Sequence, residues 1–218
     1  AIETGIAKFT FAGVTVFKMK VCDEKIPLDF ISINHYNGQW VTLNWKHWDG
    51  IPLLSMQSHI YETSDFNWCV AYDSLASTVR WVNDRWNKNN LDIVITENGI
   101  SDKSDRLRRK HLQLTLLFLK NAMKKYDLPV TKYIHWSLLD NYEWADGYSQ
   151  HFGLIGIEPD EVALSYRSKN EHNKEQKGEY KRVPRQSAEI YMKIAAQFQQ
   201  KKMGTDEVDV NIENKSYD

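Results

Sequence analysis

Glu97 ends a mostly apolar run, Leu91–Thr96, and is followed at once by Asn98 and Gly99. Two other runs end in a similar way. Phe30–Ile33 leads into Asn34-His35-Tyr36, and the run beginning at Val130 ends on Trp136 and leads into "LLDNYEWADGY", which holds Glu143 and Trp144. A carboxylate at the end of a buried run can serve as a nucleophile or as a general acid–base group, and a nearby phenol or amide can aim it. Asn, Glu, Tyr and Trp together suit a polyol. Amides and carboxylates bind hydroxyls, and an indole covers the apolar side of a sugar ring. Such chemistry needs only carboxylates and water, so neither a metal nor an organic cofactor is implied. The two cysteines, Cys22 and Cys69, do not stand at metal-ligand spacing.

The elements that must carry these residues alternate. Leu28–Ile33 reads as a short strand between Pro27 and Gly38. Leu75, Val79, Val82 and Trp86 recur at helical spacing, with Asp73 or Ser74 as a cap. A second strand, Leu91–Thr96, stops at the Asn98-Gly99 turn signal. A long helix from about residue 105 shows the stripe Leu112, Leu116, Leu119, Met123 and Tyr126, with Pro129 just past its end. A third strand runs through "VTKYIHWSLL". A final helix starts near Ser187 and turns Ile190, Ile194 and Ala195 inward. Residues 158–182 are charged and read as an inserted polar loop, and 199–218 as a polar tail. Residues 1–26 receive no role, although "FTFAGVTVF" has the composition of a strand. Strands alternating with helices predict parallel βα units, whose strand ends meet at one face. Three parallel strands alone leave two open edges.

Bulk composition narrows the class. The chain has 218 residues, a net charge of -1 and 42% hydrophobic residues. That is a globular balance without the basic excess that drives binding to nucleic acid or a membrane surface. No apolar run is long enough to span a bilayer. The first ten residues lack the layout of a signal peptide, and two cysteines suggest a reducing compartment, so a cytoplasmic location is expected. An "NKS" glycosylation pattern at Asn214 lies in the polar tail.

"ITENG" followed by "WSLLDNYEWADGYSQHFGL" resembles glycoside hydrolase family 1, the β-glucosidase family. The likeness runs from Leu28 to Ile194. It implies an α/β fold, namely the C-terminal part (about strands 6–8 and their helices) of a (β/α)8 TIM barrel, with 1–198 as a partial barrel. It implies a retaining β-glycoside hydrolase working by double displacement on a β-glycoside or oligosaccharide. Glu97 matches the nucleophile. Asn34 and Tyr36 match the Asn and second Tyr of the family's "INYY", the Tyr donating a hydrogen bond to the nucleophile. Trp136 matches a Trp lining the sugar site. Glu143 and Trp144 match the pair that grips sugar hydroxyls, and Phe152 the wall near the exocyclic carbon. Asp105 and Arg108 match an Asp-x-x-Arg. Arg182, Pro184, Arg185, Ser187 and Ala188 resemble the closing "RxPKxSA" signature, a structural element. Departures are His35 and Ser32 within the first motif, Tyr72 and Ser74 before the first helix, and the long charged loop.

The family's acid/base glutamate sits in an Asn-Glu-Pro motif that has no match here. Glu158-Pro159 follows Ile157 rather than Asn and lies in the wrong part of the barrel. Glu62 reads as a solvated loop acid near the entrance. A retaining glycosidase needs two carboxyl groups about 5–5.5 Å apart. The expectation is therefore a chain inactive by itself and completed by a complementary N-terminal barrel polypeptide. The alternative is a catalytically incomplete structural or sugar-binding subunit. Transglycosylation would need the same residues.

Overall fold

A computed structural model of the protein describes residues 6–11, 14–20, 28–38, 40–43, 54–57, 62–159 and 180–202. Its centre is a parallel sheet of three strands, β3 (Phe30–Asn34), β6 (Asp92–Asn98) and β7 (Val130–His135), in the order β3-β6-β7. Helix α1 (Ser74–Trp86) precedes β6, and α2 (Arg106–Tyr126) joins β6 to β7. The described residues also form three antiparallel pairs. They are β1 (Ile6–Phe11) with β2 (Val14–Lys20), β4 (Trp40–Leu43) with β5 (Leu54–Gln57), and β8 (Ile155–Pro159) with β9 (Tyr180–Pro184). Helix α3 (Gln186–Lys202) closes the described chain.

The core follows from strand alternation. Ile33, Ile93 and Ile95 turn one face of the sheet onto Leu75 and Val79 of α1 and Leu119 of α2, with Leu128 at the base. β6, the middle strand, also buries Val94 on its other face. Beyond the centre that other face is open: Phe30 and Ile134 are 48% and 51% exposed. Helix α3 packs on α2 through a second cluster, Leu112, Leu154 and Ala188, with Ile190 and Tyr191 beside it. Helix α2 ends at Asp127, whose backbone N–H bonds back to Met123 in a left-handed turn, just before Pro129.

Several expectations are corrected. "FTFAGVTVF" contributes to two strands, β1 and β2, rather than one. The ends of the polar loop assigned to 158–182 are strand, because β8 runs to Pro159 and β9 starts at Tyr180, as the ladder Glu158–Lys181 shows; the residues between lie outside the described ones. The tail does not start at 199, since α3 runs to Lys202. Asp73 makes no side-chain cap bond, and the Ser74 hydroxyl donates to the Ala71 carbonyl instead. β6 continues through Asn98 rather than stopping at Thr96, and β7 ends at His135, one residue before Trp136. Cys22 and Asn214 lie outside the described residues.

Candidate active site

The ends of β3 and β6 bring two of the singled-out residues together. Tyr36 lies 61 positions before Glu97 in the chain, yet its hydroxyl donates to Glu97 Oε2 at 2.5 Å. A bulge in β6 sets this up. Ile33 pairs with Ile95, but Asn34 pairs with Glu97; on the other side Ile95 pairs with Tyr133 and Asn98 with His135. One extra residue of β6 is thus accommodated on both flanks, which re-aims the side chains beyond it. Backbone bonds clamp the bulge: the His35 N–H donates to the Glu97 carbonyl, and the Trp136 N–H to the Asn98 carbonyl.

The phenol of Tyr36 is held neutral well above its usual range. Burial is the main cause, followed by its bond to Glu97 and the negative charges of Glu97 and Glu143. Its ring is fixed by an aromatic group. Phe152 meets it edge-on at 6.0 Å and Trp68 tilts against it at 5.6 Å, with Phe66 stacked near Trp68 at 4.5 Å. Phe152 is 2% exposed, so in these residues it backs Tyr36.

The segment after β7 supplies the rest. Trp136 donates its indole N–H to Glu143 Oε1 at 3.1 Å, and Glu143 is buried. Trp144 opens a short 3-10 turn with a positive φ of 45° and is 88% exposed, apart from these contacts. Asn34 is exposed beside Thr96, whose hydroxyl donates to Asn34 Oδ1. Asp140 anchors the segment. It accepts two bonds from Arg185, at 2.9 and 2.8 Å, and one from the Gly153 N–H. Burial alone would raise this carboxyl. The bonds from Arg185 and Gly153, with the positive charge of Arg185, outweigh it and hold the group below its usual value.

Arg108 does the same at the foot of α2. It is fully buried, pairs with Asp105 at 2.6 Å, and donates to the carbonyls of Asp102 and His151. Asp105 in turn accepts from the Ser187 N–H at the start of α3. Glu62 does not face the site as a free acid. It accepts from Lys110 and from the Tyr72 hydroxyl, each at 2.9 Å, and pairs with Arg106. Those bonds, that of Lys110 first, favour its ionised form.

A model of glycosyl hydrolase family 1 matches residues 16–200. The chain belongs to that family. Among family relatives, a chloroplastic galactolipid galactosyltransferase of Arabidopsis thaliana is 36% identical over 67% of this chain and 22% of its own length. A β-galactosidase of Saccharolobus solfataricus is 32% identical over 66% of this chain and 30% of its own. The chain therefore spans about a fifth to a third of the length of the curated relatives it matches. A family 1 β-glucosidase structure from Thermotoga maritima superimposes with a TM-score of 0.60 at 23% identity, covering 78% of this chain and 35% of that one. That likeness is one of fold, the TIM-barrel type of family 1.

Within this family 1 chain, Phe66, Trp68, His111 and Tyr133 also pack around the site without a motif to mark them. Asn98 stands in the sequence only as a polar strand-end residue with turn chemistry, because the bulge that turns it inward leaves no periodic mark. His111 did leave one. It stands with Arg108, Leu112, Thr115 and Leu119 on the buried stripe of α2.

Proposed function

We propose that this chain carries the nucleophile side of a retaining β-glycosidase site, built on about strands 6–8 of a (β/α)8 barrel. The observation that carries the reading is the Tyr36–Glu97 hydrogen bond at the C-terminal ends of adjacent parallel strands. A donor on Oε2 holds the carboxylate in one orientation, while the other oxygen attacks the anomeric carbon. The bond to the leaving group breaks as the Glu97 ester forms, and an acid/base carboxyl protonates the leaving oxygen. Water, deprotonated by that same carboxyl, then releases the sugar with its configuration retained.

Asn34, Trp136, Glu143 and Trp144 would hold the hydroxyls of a β-glycoside or oligosaccharide, with Phe152 behind the phenol. The acid/base carboxyl would come from barrel strands beyond those described, in a complementary N-terminal polypeptide segment. The open sheet face with exposed Phe30 and Ile134 supports such a complement. The names of relatives, β-galactosidase and β-glucosidase, support the reaction class. One relative is named a galactosyltransferase, which favours a second reading of the same intermediate. In that reading a sugar hydroxyl, not water, accepts the glycosyl group.

A 2-deoxy-2-fluoro-β-glycoside with a good leaving group tests the reading. Incubated with the native protein and followed by peptide mass mapping, it should leave one covalent sugar on Glu97. An unlabelled Glu97 in a preparation that still binds the sugar would overturn the hydrolase and transferase readings and favour a binding subunit.

A further inference from the structure

Beneath the nucleophile lies a polar group that the reaction does not use directly. Asn98, the residue after Glu97, is completely buried. Its amide Nδ2 donates to the His35 carbonyl at 2.7 Å, which assigns Oδ1 as the acceptor atom. Oδ1 accepts from the Tyr133 hydroxyl at 2.8 Å and faces His111 Nε2 at 3.3 Å. His111 must therefore carry its proton on Nε2. Its Nδ1 is left to accept from the Thr115 hydroxyl, at a longer 3.4 Å. The ring stays neutral, because burial, then repulsion from His35 when protonated and from the Arg108 guanidinium, push it down to about 4. One amide thus receives β7 through Tyr133 and α2 through His111, and passes its own bond to the residue that follows β3.

The bond falls where it matters mechanically. His35 immediately precedes Tyr36, and Glu97 immediately precedes Asn98, so the amide ties the two backbone positions that flank the Tyr36–Glu97 hydrogen bond. It does so at the β6 bulge, where the regular ladder is interrupted. Tyr36, Gly99 and His111 also line one small cavity. A side chain serving a turn alone would need neither full burial nor partners on three other elements.

We infer that Asn98, locked by His111 and Tyr133, is a positioning residue that fixes the Glu97 carboxylate against Tyr36. The inference rests on reading Glu97 as the nucleophile, but the geometry it claims can be measured without turnover.

The test compares His111→Leu, which removes the Nε2 donor but fills the space, with His111→Gln, which restores an amide N–H. In the native protein, the Tyr36 hydroxyl proton, protected by its bond to Glu97, should be observed by NMR. That signal should be lost or shifted upfield in His111→Leu and kept in His111→Gln. In the native protein, the rate of Glu97 labelling by the fluoro-glycoside should fall about tenfold in His111→Leu, at unchanged affinity for a sugar analogue, and recover in His111→Gln. If His111→Leu does not melt cooperatively, Tyr133→Phe, which deletes one hydroxyl, should shift the same proton. A signal identical in wild type, His111→Leu and Tyr133→Phe would overturn the inference. A signal that responds as expected in a protein whose Glu97 is never labelled would support the positioning while overturning the nucleophile reading.

Discussion

Tyr36 and Glu97 illustrate how much a single donor can decide. The phenol is half-buried and kept neutral well above its usual range, so it remains a donor near neutral pH. A bond made equally in the ground and transition states leaves the rate unchanged, so this donor acts by aiming the carboxylate, and misplacing a reacting group can cost about 100-fold. Tyr36→Phe should therefore slow formation of the Glu97 adduct by about one to two orders of magnitude in single-turnover kinetics. Binding of a neutral sugar analogue should change little. An unchanged labelling rate would show that the carboxylate is aimed by something else.

At the scale of elements, the junction of β6 and β7 tolerates no added bulk. A Cβ on Gly99 would sit 1.8 Å from the Trp136 carbonyl oxygen, a backbone atom with no freedom to rotate away. Gly99→Ala should force the two strand ends apart and lower stability by about 1–3 kcal/mol in denaturant titrations. Because those ends also carry Glu97 and the Trp136–Glu143 bond, sugar binding should weaken with it. Helix α2 makes a second, pH-dependent prediction. His111 is buried neutral, with a folded value near 4 against an ordinary 6.5. Between those values the unfolded chain binds the extra proton, so stability rises with pH and is lost as pH falls from about 6.5 towards 4. The contribution of this one ring is about 3 kcal/mol over the full window. His111→Gln should flatten the dependence of the urea midpoint between pH 7 and pH 5. A slope identical to wild type would rule out His111 as its source.

At the scale of the molecule, the sheet is covered on one face and open on the other. Ile33, Ile93 and Ile95 rest on helices, whereas Phe30 and Ile134 present apolar area to solvent. A three-stranded parallel sheet with such a face is a poor free-standing unit. The 218-residue chain alone should not hydrolyse an aryl β-glucoside above the rate of its Glu97→Gln variant. Mixed with a polypeptide supplying complementary barrel strands with an acid/base carboxyl, it should do so with retention, read by NMR of the first-formed anomer. Turnover by the isolated chain would remove the case for a missing acid/base carboxyl.

The strings around Glu97, Tyr36, Trp136 and Glu143 were legible in the sequence because strand ends in a βα fold collect polar residues at one face, and such strings are local. The order β3, α1, β6, α2, β7 and α3 was legible for the same reason, as apolar period and breakers are written along the chain. The pairing of Asp140 with Arg185 and of Asp105 with Ser187 was not, since each joins residues far apart in sequence. Nor was the role of Asn98. Its environment depends on a one-residue bulge that shifts side-chain phase without altering composition. Residue types at the strand ends marked which groups could do chemistry, and the resemblance of their motifs to family 1 gave them roles. Only the tertiary structure decided which of them meet, because a hydrogen bond such as Tyr36 to Glu97 is set by the register of two strands 61 residues apart.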